Sequence, residues 1–270
     1  MPDGFLTAVA AVANVLFLGG GIYIYLALVR QVNARTPTFP GEAERTFGWP
    51  EAILASGLAA LFMLNAWVAY ARPGKPLLRT NELIANALIS LALFLFVAAF
   101  LKFRGFSVSA LAGLLKLPVW RAIMTGVILL LAAYPLIFLA DLVVQSVLGS
   151  PSSRQSIVEI FSESQTLEQR VLIIVLAVAI APLVEEFVFR FFFYGVVRRY
   201  FGRFAGLMVN SVLFAAVHAH IPSAAPLFVL GGCLTLAYEW SGSILVSMTM
   251  HALFNSLTLT ALAFPELIQP

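Results

Sequence analysis

The stretch 171-VLIIVLAVAIAPLVEEFVFR-190 decides how this chain is read: fourteen residues without a charge, Val171 to Val184, lead straight into Glu185 and Glu186, with Arg190 four positions further on. A charged side chain at bilayer depth costs roughly 3 kcal/mol on insertion scales, so such groups are rare, face a polar interior and mark function by default. Glu186 and Arg190, four apart, share one helix face and are placed to form an ion pair that lowers the cost of burying either. Glu185 lies about 100° around the helix from its neighbour and has no local partner. A carboxylate desolvated in this way beside a second carboxylate suits general-base work. The alternative is purely structural, with both glutamates holding Arg190 and tying helices together.

The rest of the composition agrees with a bilayer setting. The chain is 61% hydrophobic and 11% charged with a mean hydropathy of +0.97, far more apolar than a soluble core of this length needs. The single cysteine, Cys233, excludes an intramolecular disulfide and a cysteine-cluster zinc. The net charge of +3 sits mostly in short connections, which points to topology signals and lipid headgroups and away from nucleic acid.

Working outward, the apolar runs are Phe5–Val29, Ala52–Ala71, Leu83–Leu101, Ala122–Ala140, Val171 to about Val197, Phe204–His218, about Ala224–Tyr238 and Ile244–Leu262. They predict an all-α polytopic integral membrane helix bundle of about eight transmembrane helices. The first run lacks a preceding basic region and is too long for a signal peptide, so it reads as a retained helix. The segment near 103–120 is apolar but too short between Lys102 and Lys116 to cross, which predicts an interfacial or re-entrant piece. Proline breaks the connections at Pro37, Pro40 and Pro50 and again in the turn Arg72–Arg79, and Ile157–Arg170 reads as a surface amphipathic helix. This divides the chain into N-terminal transmembrane helices, 1–150, and a catalytic core, 151–270. Arg and Lys concentrate in the odd-numbered loops, predicting both termini outside, with Arg72, Lys75 and Arg79 as the opposing signal.

Two further constellations are polar where a membrane helix should not be: FAAVHAH, Phe214–His220, and HALFN, His251–Asn255. His251 and Asn255 share a face, so two donors can aim at one point, as an oxyanion site requires. A lone histidine in a bundle is commonly an interhelical hydrogen-bond partner, but polar groups on three separate spans of a chain with only three histidines point to one site. His220, two residues after His218, faces the other side of a helix.

These residues carry a resemblance. EEFVFR resembles the EExxxR signature of the type II CAAX prenyl endopeptidases, also called CPBP or Abi proteins; Phe214–His218 fits FxxxH and His251–Asn255 fits HxxxN, in the same order. The resemblance covers roughly Val171–Leu262, about a third of the chain, and says little about the first four spans. It implies an intramembrane glutamic endopeptidase in which Glu185 and His218 activate a water, His251 and Asn255 stabilise the oxyanion, and Glu186 supports the site by holding Arg190. Phe214 is a packing residue on this reading. The substrate implied is a membrane-associated protein or peptide, possibly a prenylated CAAX tail. No cofactor is implied; the mechanistic rival is a zinc held by Glu185, His218 and His251, though HExxH is absent. The functional rival is a non-proteolytic scaffold or a bacteriocin-immunity-type protein of the same family. A transporter would spread polar residues along a path and carry an inverted repeat, and neither is visible. Short loops suit a bacterial cytoplasmic (inner) membrane. Oligomeric state is not readable.

Overall fold

The computed structural model describes residues 2–35, 46–71, 80–148, 161, 164 and 166–264, and no strand occurs among them. The proline-rich part of the first loop, the turn 72–79, the polar stretch 149–160 and most of the expected surface helix before Leu167 lie outside the described residues.

Four long helices and one short one precede the motif region: α1 (Pro2–Ala34), α2 (Trp49–Ala71), α3 (Thr80–Phe103), α4 (Val108–Leu111) and α5 (Val119–Leu148). Residues 104–118 do not cross; beyond α4 they form turns seated on the α9–α10 connection described below. The Ile244 N–H donates to the Ala112 carbonyl at 3.0 Å. Gly113, at φ 65°, lies so close to Gly242 that a Cβ there would strike its carbonyl oxygen.

The motif region begins at Thr166, whose hydroxyl accepts the Gln169 N–H at 3.2 Å and caps α6 (Leu167–Val175). The helix continues through a π-helical segment (Leu176–Ile180), α7 (Ala181–Glu185), a second π-helical segment (Glu186–Phe193) and α8 (Tyr194–Val217). This run is 51 residues long, far beyond the ~20 that one crossing needs. It is not one rod, because at Gly202 the backbone leaves the helical region (φ 83°, ψ 173°). The chain folds back there: the Arg190 guanidinium lies over the Phe214 ring at 4.1 Å, whereas 24 residues of straight helix would separate them by ~36 Å. Then follow a 3₁₀ turn (Ile221–Ser223), α9 (Ala224–Ser241) and α10 (Ile244–Ala263).

Seven helices among the described residues are long and apolar enough to cross a membrane, the folded-back run counting once. The hairpin at Gly202 makes that run two crossings, so the expected all-α bundle of about eight membrane helices is the observed one. The molecule is an integral membrane protein.

Packing centres on α5, which touches α1, α9 and α10. Pro135 interrupts the α5 hydrogen-bond ladder, and α1 meets this point at Gly21, where a Cβ would run into the Ala132 carbonyl and the Pro135 ring. Tyr25, one turn on, donates to the Leu129 carbonyl at 2.9 Å. With lipid outside, apolar burial alone does not hold such helices together, and close approach and interhelical hydrogen bonds do more of the work. Asn210 on α8 accordingly donates to Thr235 on α9 at 2.7 Å, and Thr235 donates to the Gly231 carbonyl at 2.7 Å. Large apolar side chains such as Leu16, Trp67, Leu88 and Val147 face outward.

One end of the bundle gathers the basic residues. Arg198 and Arg203 pair with Glu239 at 2.6 and 3.1 Å, Arg104 pairs with Glu51 at 2.8 Å, and Arg35 donates to the Trp240 carbonyl at 2.7 Å.

Candidate active site

Glu185 closes α7 and Glu186 opens the second π-helical segment, so the two carboxylates sit where the helical repeat changes. Such π insertions occur frequently at functional sites, and here two of them flank five residues of α-helix that end on Glu185.

Glu186 is wholly buried and serves two partners through the same oxygen. Its Oε1 is 3.0 Å from Arg190 Nη1 and 2.9 Å from His251 Nδ1. A carboxylate accepts, so Nδ1 carries the proton in this bond. That fixes the ring, and Nε2 then faces Glu185, 3.9 Å from its Oε2. Glu185 differs from its neighbour in access: 28% of its side chain is exposed, onto a cavity of about 650 Å³ bounded by α2, α3, α7 and the chain just after α8.

Arg190 is also fully buried. Its charge is balanced by Glu186 and by the face of Phe214, 4.1 Å from the guanidinium carbon. The edges of Phe214 meet the rings of His218 and His251, with centroids 4.8 and 5.6 Å apart. The phenylalanine of the FxxxH pattern is thus the plate on which the cation and both histidines rest.

The remaining expected residues sit at the margin. His218 caps the end of α8 with Nδ1 2.7 Å from the Phe214 carbonyl, leaving Nε2 as its other functional nitrogen. Asn255 donates to the Ala177 carbonyl at 2.7 Å, which ties α10 to the first π-helical segment. His220 pairs with the Ser223 hydroxyl at 2.8 Å, a local turn contact. Among the described residues no group of three or more His, Cys, Asp or Glu side chains could hold a metal ion.

Several buried polar atoms converge here without hydrogen-bond partners among the described residues: Oε2 of both glutamates, and the nitrogens of Arg190, whose contact with Glu186 is an ion pair rather than an aligned hydrogen bond. Native interiors hold few such atoms, and here several lie together around the Glu186–His251 contact.

Sequence reasoning missed the Glu186–His251 bond, the two π-helical segments and the cavity wall. Spacing within one helix cannot reveal a pairing across 65 positions. The wall did leave a trace, since Asn65 on α2 and Asn86 and Ser90 on α3 are polar residues inside apolar runs.

A helix bundle whose spans bury a carboxylate, an arginine and a histidine in contact, with a second, part-exposed carboxylate beside an open cavity, is a membrane protein with an enzyme-like centre. Residues 167–257 match the family described as type II CAAX prenyl endopeptidase Rce1-like. The match covers about a third of the chain and includes all three motifs, so this segment is similar to the family that the motifs resemble. Neither a curated protein nor a solved structure matches the chain.

Proposed function

We propose that the protein is an intramembrane endopeptidase that hydrolyses a peptide bond of a membrane-associated protein or peptide, with Glu185 as the general base. The observation that carries this reading is the contrast between the adjacent glutamates. Glu186 is buried and committed to Arg190 and His251, whereas Glu185 meets the cavity. An accepting carboxylate at a cavity wall is what activation of a water requires.

In the reaction, Glu185 with His218 takes a proton from water as the water oxygen bonds to the scissile carbonyl carbon. The carbonyl oxygen becomes an oxyanion. Glu186 orients the His251 ring through Nδ1, and His251 donates from Nε2 to that oxyanion. Asn255 supplies a second N–H, since the bond to Ala177 uses one of the two on its amide nitrogen. Glu185 next passes its proton to the departing nitrogen, the C–N bond breaks, and carboxyl and amine products form. The residues do this without a resident metal, and the host compartment is a bacterial cytoplasmic membrane.

The test is cleavage of a quenched fluorescent peptide library, with prenylated and unprenylated members, by the purified protein, its Glu185→Gln variant and a chelator-treated sample. Cleavage that survives chelation and disappears in the variant supports the reading. Loss on chelation with recovery on adding zinc contradicts the metal-free mechanism, and absence of cleavage by folded protein contradicts protease function.

A further inference from the structure

The motif residues account for one side of the cavity beside Glu185, and the other side is built by α2 and α3, which no motif reaches. Phe62, Asn65, Ala66 and Ala69 come from α2, and Asn86, Ile89, Ser90 and Leu93 from α3. Three of these are polar. Neither asparagine is packed away: Asn65 and Asn86 are exposed and Ser90 is half-buried.

An amide side chain in the middle of an apolar span opposes insertion unless it finds a partner. Asn65 and Asn86 make no hydrogen bond among the described residues, whereas Asn210, the comparable residue of α8, is buried against Thr235. Asn86 and Ser90 are four apart on α3 and present one polar face to the cavity. Among the described residues of the lining Glu185 is the only charged one, and besides the three polar residues the rest are Ala, Val, Leu, Ile and Phe.

Resting on the protease reading, we propose that Asn65, Asn86 and Ser90 form a substrate subsite that holds an extended, uncharged stretch of polypeptide by its main chain and lays the scissile bond beside Glu185. Each asparagine offers one acceptor and two donors, the complement of a peptide unit. A segment unwound inside a membrane leaves its own N–H and C=O groups unsatisfied and needs such partners from the wall. The apolar remainder of the lining selects small or apolar side chains and excludes charged ones. These are positioning residues; the bond-breaking groups are on the opposite wall.

The test uses the full-length protein in liposomes and a peptide that the wild type cleaves. In Asn65→Leu/Asn86→Leu the side chains keep their branching and number of heavy atoms and become apolar at exposed positions, so folding and melting temperature are expected to be retained. Losing two neutral hydrogen bonds raises KM about tenfold or more while kcat stays within about threefold. Main-chain recognition adds a second readout. Replacing single peptide bonds of the substrate by esters weakens cleavage by the wild type at the subsite positions, and weakens it much less in the double variant. An unchanged KM in a double variant beside an active wild type overturns the subsite while leaving the protease reading intact. A raised KM with equal ester effects in both proteins overturns the main-chain assignment. A folded wild type that cleaves no peptide removes the protease reading, and the subsite falls with it.

Discussion

Arg190 is the least replaceable residue near the site, because it is completely buried and stands between an anion and an aromatic face. Removing one partner of a buried ion pair leaves the other uncompensated, so Arg190→Leu is expected to destabilise the protein by about 3–5 kcal/mol. Thermal unfolding in detergent checks this. Arg190→Lys keeps the charge but not the planar group that stacks on Phe214, and falls between wild type and Arg190→Leu in melting temperature. Phe214→Ala takes away the plate under the guanidinium and both histidine rings, and is expected to cost about 3–5 kcal/mol by cavity formation alone. Glu185 contrasts with these residues: it is part-exposed and its contact with His251 Nε2 at 3.9 Å is beyond hydrogen-bond range, so Glu185→Gln is expected to leave the melting temperature close to that of the wild type.

At the level of elements, the fold-back at Gly202 within α8 depends on one backbone conformation. Gly202, at φ 83° and ψ 173°, occupies a region open essentially to glycine, and nothing lies within 4 Å of where a Cβ would be. Gly202→Ala is therefore expected to destabilise by about 1–3 kcal/mol through strain alone. Gly57 in α2 also has nothing within 4 Å but carries no positive φ, and Gly57→Ala is expected to be neutral or stabilising by up to ~1 kcal/mol. Paired unfolding curves of these two variants separate strain from space. Elements are also where the sequence was most legible. The apolar runs located the spans because a bilayer demands about 20 apolar residues per crossing, and RRYFGR at 198–203 marked the reversal. The i,i+4 spacing found the Glu186–Arg190 pair and the shared face of His251 and Asn255. It could not find the π-helical segments, since no residue type encodes an i,i+5 ladder as glycine encodes a positive φ. Nor could it find that Glu186 takes His251 while Asn255 turns to Ala177, because partners on separate helices are chosen by packing.

Across the whole molecule, the charge distribution makes a statement about orientation. Arg35, Arg104, Arg198 and Arg203 belong to one end of the bundle, tied together through Glu51, Glu239 and the Trp240 carbonyl. By the positive-inside rule that end is expected to face the cytoplasm, with the entry of α1 and exit of α10 at the other and Arg72, Lys75 and Arg79 as the opposing signal. Cysteines introduced at Gly4 and Phe264 in a Cys233→Ala background should react with a membrane-impermeant maleimide added outside intact cells. One at Lys116 should react only after the membrane is opened. The reverse pattern would invert the orientation and place the mouth of the Glu185 cavity, near Ala69 and Ala219, on the cytoplasmic side.

All three scales meet in the claim that Glu185 is the base of a metal-free hydrolysis. The most direct measurement is the single-turnover cleavage rate of one membrane-anchored peptide by excess wild type and by excess Glu185→Gln, both in chelator and both with their melting temperatures determined. The account predicts a wild-type rate unaffected by chelator and a loss of at least about a thousandfold in the variant, with no change in melting temperature. A folded variant that cleaves at a rate comparable to the wild type would contradict it.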